Sequence, residues 1–224
     1  MPTPILLAWS GGKDSTLALD RLRQDDRYEV VALLTTITRE YDRVSMHGVR
    51  RSLLEAQAAA LGYPLVPVFI PANASNQAYE AAMQETLTLY RARGVQAVAF
   101  GDIFLADIRR YREERLAAVG LRGLFPLWGQ DTRQLAAEFL ARGFRAVICC
   151  VDSQALDGRL VGREFDAAFL ADLPPGVDPC GENGEFHSFV YAGPLFRWPV
   201  ALRRGAVVVR EQRFVYCDLL PAGD

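Results

Sequence analysis

The chain has 224 residues, half of them hydrophobic and 23% charged. That composition excludes a disordered chain, and the length suits one broad α/β domain or a main domain with an appendage. The formal net charge of -2, with no run of like charges, excludes a broad nucleic-acid footprint.

Short apolar or β-branched runs alternate with stretches of helical periodicity, the pattern of a parallel sheet flanked by helices. Ile5 to Trp9 is the first predicted strand, followed by a glycine loop and a helix from about Ser15 to Gln24. Val30 to Thr36 is the second strand. Val49, Leu53, Ala56 and Ala60 then recur as one apolar face of a helix that stops near Gly62. Leu65 to Ile70 is a third strand, and a helix from about Asn76 to Arg93 ends at Gly94. Val95 to Phe100 follows as a fourth strand, with Gly101-Asp102 at its C-terminal end. Helices are predicted over Ile108 to Val119 and Thr132 to Arg142, and a strand over Phe144 to Val151.

Up to that point the pattern is a doubly wound nucleotide-binding domain, residues 1–151. Beyond it, loops rich in Gly and Pro lead to a strand at Phe186-Tyr191 and an antiparallel hairpin of Val200-Arg210 with Gln212-Leu219, a smaller α+β substrate-binding region over 152–224. Arg109, Arg110, Arg112 and Arg115 have helical spacing and read as a solvated face. The cysteines show no C-x-x-C spacing, which points to a reducing compartment, and Cys149 and Cys150 sit in an apolar strand pattern as core. No charged segment precedes an apolar one at the start, and no apolar run approaches the roughly 18 residues of a membrane span, so a cytoplasmic protein is expected. Self-association stays open.

A strand, a Gly-rich turn and a helix in that order make an anion site, because glycine lets the backbone approach phosphate and the helix start presents unpaired N–H groups. Ser10-Gly11-Gly12-Lys13-Asp14-Ser15 stands at this junction. It is not a Walker A loop, since Leu7 and Asp14 occupy the positions of the first glycine and the Ser/Thr, and the dinucleotide fingerprint fails as well. Lys13 is the only lysine among 25 basic residues. Asp14 beside a polyphosphate calls for a cation between them, and magnesium is expected there. The plainer alternative is a turn whose Asp14 or Ser15 caps the helix.

Asp178-Pro179-Cys180-Gly181-Glu182-Asn183-Gly184-Glu185-Phe186-His187-Ser188 packs three acids, a His and a Cys into eleven residues. It offers acceptors for an amine or a metal and, in His187, a base that titrates near neutrality. The plainer alternative is a turn followed by a core Phe186 and a surface His187. Zinc is disfavoured, because a closed site wants more Cys or His ligands. For His47, Arg50 and Arg51 a solvated helix start weighs equally with contact to nucleotide or acceptor. Trp128 reads as a packing anchor, and Asp152 either faces the site or caps a turn.

The six-residue loop resembles the PP-loop of ATP pyrophosphatases, which implies a HUP-like α/β fold and cleavage of ATP between the α and β phosphates. With His47-Gly48-Val49-Arg50-Arg51, Phe100-Gly101-Asp102-Ile103 and Gly181-Glu182-Asn183-Gly184-Glu185-Phe186-His187, nearly the whole chain is similar to the diphthine-ammonia ligase family and its adenine nucleotide alpha hydrolase-like, ATP-binding relatives. The resemblance implies an ATP-dependent, AMP-forming ligase that activates a carboxylate as an acyl adenylate and amidates it with ammonia. Diphthine is the family's acceptor; in a bacterial source, where diphthamide is not made, another carboxylate on a protein side chain or a small metabolite would take its place. By the same resemblance Ser10, Gly11, Gly12, Lys13, Asp14 and Ser15 cradle the phosphates, Gly101 and Asp102 border the nucleotide, Asp14 holds magnesium, and Glu182, Glu185 and His187 join Lys13 and Asp14 as the catalytic set. The competing readings are an ATP or AMP sensor without turnover and a PP-loop enzyme of RNA thiolation.

Overall fold

The computed structural model describes residues 1–222. Its elements run β1 (Thr3–Ala8), α1 (Lys13–Arg23), β2 (Tyr28–Thr38), β3 (Arg43–Val44), α2 (Arg51–Leu61), β4 (Leu65–Ile70), α3 (Asn76–Ala92), β5 (Ala97–Ala99), α4 (Ala106–Ala118), β6 (Arg122–Leu124), α5 (Thr132–Ala141), β7 (Arg145–Asp152), α6 (Ala167–Ala171), β8 (Phe186–Ala192), β9 (Leu202–Arg210) and β10 (Phe214–Pro221). A single 3₁₀ turn, Gly158–Leu160, lies between β7 and α6.

β1 pairs in parallel with β2 and β5, β2 with β4, and β5 with β6, while β3 joins the far end of β2 antiparallel. Successive side chains of a strand face opposite ways, so β1 feeds two cores. Leu6 joins Leu34, Val98, Leu87 of α3 and Leu116 of α4 on one face; Ile5 and Leu7 join Leu17, Leu53 and the residues of the second sheet on the other. The expected doubly wound sheet is present, and the second sheet has the antiparallel order β8-β7-β10-β9. Among the described residues no helix is long and apolar enough to cross a membrane.

Two local readings are corrected. The strand over Phe144–Val151 does not extend the parallel sheet: as β7 it pairs antiparallel with β8 and β10. A central strand is buried on both faces in either kind of sheet, so its apolar run could not tell them apart. Ala56 is exposed, and α2 buries Leu53, Leu54, Gln57, Ala58, Ala60 and Leu61 instead. The arginines of α4 do lie on a solvated face, with Arg110 and Arg115 exposed and Arg109 and Arg112 half-buried, and Arg109, Arg110, Arg112 and Arg115 pair with Glu113, Asp107, Asp102 and Glu80.

Candidate active site

The loop after β1 is shaped by contacts that span the sequence. Gly11 has φ +80°, a conformation that L side chains rarely adopt, and a Cβ there would fall 2.6 Å from Leu54. Its carbonyl accepts from Val190 N of β8 at 2.9 Å and from Gln57 Nε2 at 3.0 Å. Gln57, fully buried on α2, also donates to Val190 O at 2.5 Å and accepts from Trp9 Nε1 at 2.7 Å. Lys13 N donates to Ser188 Oγ at 3.2 Å. One side chain of α2 and one strand of the second sheet therefore hold the turn. Gln57→Leu takes the partner from Trp9 Nε1 and removes one bond each from the carbonyls of Val190 and Gly11, of which Gly11 keeps Val190 N; a buried group left without a partner costs roughly 1–3 kcal/mol. A melting temperature lowered by about 5–15 °C is expected, which thermal denaturation measures.

α1 starts at Gly12 with no side-chain cap, so Asp14 and Ser15 are not there to cap the helix. Ser15 Oγ donates to Gly12 O at 2.9 Å, and Lys13 Nζ pairs with Asp14 Oδ2 at 2.9 Å and donates to the Cys180 carbonyl. Lys13 is 3% exposed and lies over the rings of Phe165 and Phe186. Burial works to neutralise it, but Asp14, Cys180 and Asp178 outweigh burial and hold the ammonium above its usual range. Burial raises the Asp14 carboxyl, against the pull of Lys13.

Gly101 lies at the end of β5, where a Cβ would sit 2.8 Å from the Asp14 carbonyl carbon; glycine lets the strand end touch the start of α1. Asp102 next to it is ion-paired with Arg112 of α4 at 2.7 Å, and that guanidinium stacks 4.4 Å from the Phe100 ring. Glu182 closes the site from the other side, accepting from Ile103 N at 2.7 Å and Phe104 N at 3.4 Å. Burial, reinforced by the charges of Asp14 and Asp102 and opposed by those N–H groups, pushes the Glu182 carboxyl up to about 7.

These groups enclose a cavity of about 510 Å³ at the C-terminal ends of β1, β2 and β5, where open α/β sheets take ligands. Its wall holds Ser10, Gly12, Lys13, Asp14, Ser15, Gly101, Asp102, Glu182 and His187 together, with Thr35, His47 and Arg112 added. Among the described residues the buried side-chain atoms without a hydrogen-bond partner are Asp14 Oδ1, Thr35 Oγ1, His47 Nδ1, Asp102 Oδ2 and Arg112 Nε, and all five belong to this wall. The last two face each other as the 2.7 Å ion pair, misaligned for hydrogen bonding. Buried polar groups are nearly always satisfied, so such a concentration in one wall marks a place for a polar ligand.

Glu185 departs from the expected set. It does not line the cavity, and its carboxylate accepts from Asp178 N at 3.1 Å, Asn183 N at 3.0 Å and Asn183 Nδ2 at 2.9 Å, which makes it the brace of the acidic loop. Asp178 has a like role, accepting from the N–H groups of Cys180 and Glu182. Gly11 lies beneath the loop, outside the wall. Arg50 pairs with Asp218, Arg51 with Asp42 and Glu55, and Asp152 with Arg213, all away from the cavity. Trp128 packs edge-on against Phe125 beneath Arg109. Cys149 and Cys150 are buried on β7, whereas Cys180 reaches the cavity wall with a thiol that burial pushes far up.

Residues 4–123 match the family model described as diphthamide synthase N-terminal domain, and residues 131–216 the diphthamide synthase C-terminal domain. The diphthine–ammonia ligase of Schizosaccharomyces pombe is 27% identical over 219 residues, covering 89% of this chain and 36% of that protein. The rat protein of the same name is 25% identical over 225 residues, covering 90% of this chain and 84% of that protein. The human one is 29% identical over 123 residues, 52% of this chain and 46% of its own length. The chain thus spans well under two thirds of the yeast and human relatives.

Proposed function

Because the chain belongs to the diphthamide synthase family, we propose that it is an ATP-dependent, AMP-forming ligase that joins ammonia to a carboxylate. The observation that carries this reading is the cavity wall, in which the uncapped start of α1 meets every unsatisfied buried side chain of the described residues. The N–H groups at the start of α1 bind phosphate, with Ser10 and Ser15 beside them. Gly101 brings Asp102 to the edge of the nucleotide. The unpartnered Oδ1 of Asp14 suits a hard cation, and magnesium held there would offset phosphate charge.

The acceptor carboxylate attacks the α-phosphorus, forming a C–O–P bond as the bond to pyrophosphate breaks. Ammonia then attacks the acyl carbon, the C–N bond forms, and AMP leaves. Glu182 is the residue of the wall suited to take the proton released, since a base near pH 7 has the right affinity for it. In this reading the six-stranded sheet carries the phosphate loop, and the loop before β8 brings Glu182 to the acceptor side of the same cavity. The acceptor is diphthine, as in the relatives' names, or another carboxylate on a protein or a metabolite.

Incubation with ATP, magnesium, ammonia and a panel of carboxylates should release AMP and pyrophosphate; ADP as the main product would sink the proposal. A nucleotide sensor would bind ATP without exchanging labelled pyrophosphate. Thiolation finds no support in Cys180, whose buried thiol is held protonated.

A further inference from the structure

The cavity poses an electrostatic problem for the ligand assigned to it. Lys13 and Arg112 are the cations of its wall, against the carboxylates of Asp14, Asp102 and Glu182. Both cations are already ion-paired, Lys13 with Asp14 and Arg112 with Asp102. ATP carries most of its charge on its last two phosphates, and one magnesium ion does not cancel it.

Two side chains that the mechanism proposed above leaves without a role stand at the phosphate end. His47, from the loop after β3, and His187, on β8, pack ring to ring with centroids 4.2 Å apart. A first side-chain carbon at Gly12 would lie 3.6 Å from His47 Cε1, so this ring stands over the glycine turn. His47 Nδ1 is buried without a partner. Packing two imidazoles against each other at a 31° tilt, one with an unsatisfied nitrogen, serves the ligand-free protein poorly.

The geometry points to His47 and His187 as the binding site for the pyrophosphate end of the nucleotide, each imidazole donating a hydrogen bond to the terminal phosphates and one of them carrying positive charge in the complex. This rests on the ATP-binding reading above and goes beyond it by naming the groups that grip the leaving pyrophosphate. Without ligand both rings are kept neutral: burial, the neighbouring ring and Lys13 hold His47 well below the usual imidazole range, and burial with Lys13 pushes His187 down to about 4. The other titratable groups of the same wall are Lys13, Asp14, Tyr79, Asp102, Arg112, Cys180 and Glu182, and Tyr216 of β10 donates to the Met46 carbonyl. A bound polyanion reverses the local balance, so phosphate binding draws in a proton. A metal is not the better occupant, because no group of three His, Cys, Asp or Glu side chains able to hold one occurs among the described residues.

The test is isothermal titration of the whole chain at pH 7 with magnesium pyrophosphate, ATP and AMP, in two buffers of different ionisation enthalpy, for the unaltered protein, His47→Gln and His187→Gln. Pyrophosphate and ATP should bind with uptake of about one proton and AMP with none. Each substitution should weaken pyrophosphate about tenfold or more, the worth of a charge-assisted hydrogen bond, while AMP changes less than about twofold. Pyrophosphate affinity unchanged in both variants, AMP affinity falling in step with it, or no proton uptake in the unaltered protein would each overturn the assignment. His47 lies on a loop, so His47→Gln keeps the test open should His187→Gln fail to fold. Turnover separates the two readings: normal pyrophosphate binding in the variants of an AMP-forming enzyme defeats this inference alone, and histidine-dependent binding without AMP formation defeats the ligase alone.

Discussion

Asp14→Asn is expected to reduce AMP formation by about a hundredfold or more while the protein still folds. The carboxylate has two duties in the structure, one oxygen pairing with Lys13 at 2.9 Å and the other buried without a partner in the cavity wall. Asparagine can still accept from the lysine but cannot hold a hard cation with the same strength, and loss of one such electrostatic contact is worth about 10²–10³ in rate. The buried ammonium also keeps the Cys180 carbonyl and the rings of Phe165 and Phe186, which limits the damage to less than the roughly 3–5 kcal/mol of a fully broken buried pair. Thermal denaturation beside the rate of AMP release distinguishes the two effects: a full-rate variant would remove Asp14 from the mechanism, and an unfolded one would make it structural.

Glu182→Gln is expected to separate nucleotide handling from product formation. ATP binding should stay within about threefold, because the phosphate loop and Asp102 are untouched, while amide formation should drop by about 10²–10⁴-fold, the usual worth of a positioned base. The carboxyl titrates at about 7, so the rate of the unaltered enzyme should rise as pH passes upward through that value, as the ionised base accumulates, and the variant should lose that limb. Folding runs the other way: the native carboxyl holds its proton more tightly than the ordinary value of 4.5, so Glu182 favours the native state at low pH and gives up that contribution as pH rises from 4.5 to about 7. A pH–rate profile of the two proteins checks the assignment, and an unchanged limb in Glu182→Gln would transfer it to another group.

The glycine turn of the cavity wall was legible because it is contiguous: six residues at a strand-to-helix junction carry the glycines and the start of the helix. Gly101-Asp102 was legible for a related reason, as the end of an apolar strand. Gln57, Thr35 and Arg112 were not, since each acquires its role from packing against distant segments. The one available signal was a glutamine in the apolar stripe of α2, at a position where an amide must find partners. Glu182 and Glu185 are the same residue type three positions apart, and only the folded loop shows that the second is consumed by Asp178 and Asn183. β7 was legible as a strand but not by its sheet, because alternation with helices continues through α5 up to it.

Val190, Ser188 and Gln57 hold the glycine turn from outside the segment that contains it. The consequence reaches how such a chain can be divided or recombined. A gene fragment ending near residue 123 would carry the whole phosphate motif and yet inherit a slack turn, because β8 lies some sixty residues downstream. Module shuffling would have to move both halves together, and loss of the C-terminal half would unseat the glycine turn without changing a letter of it.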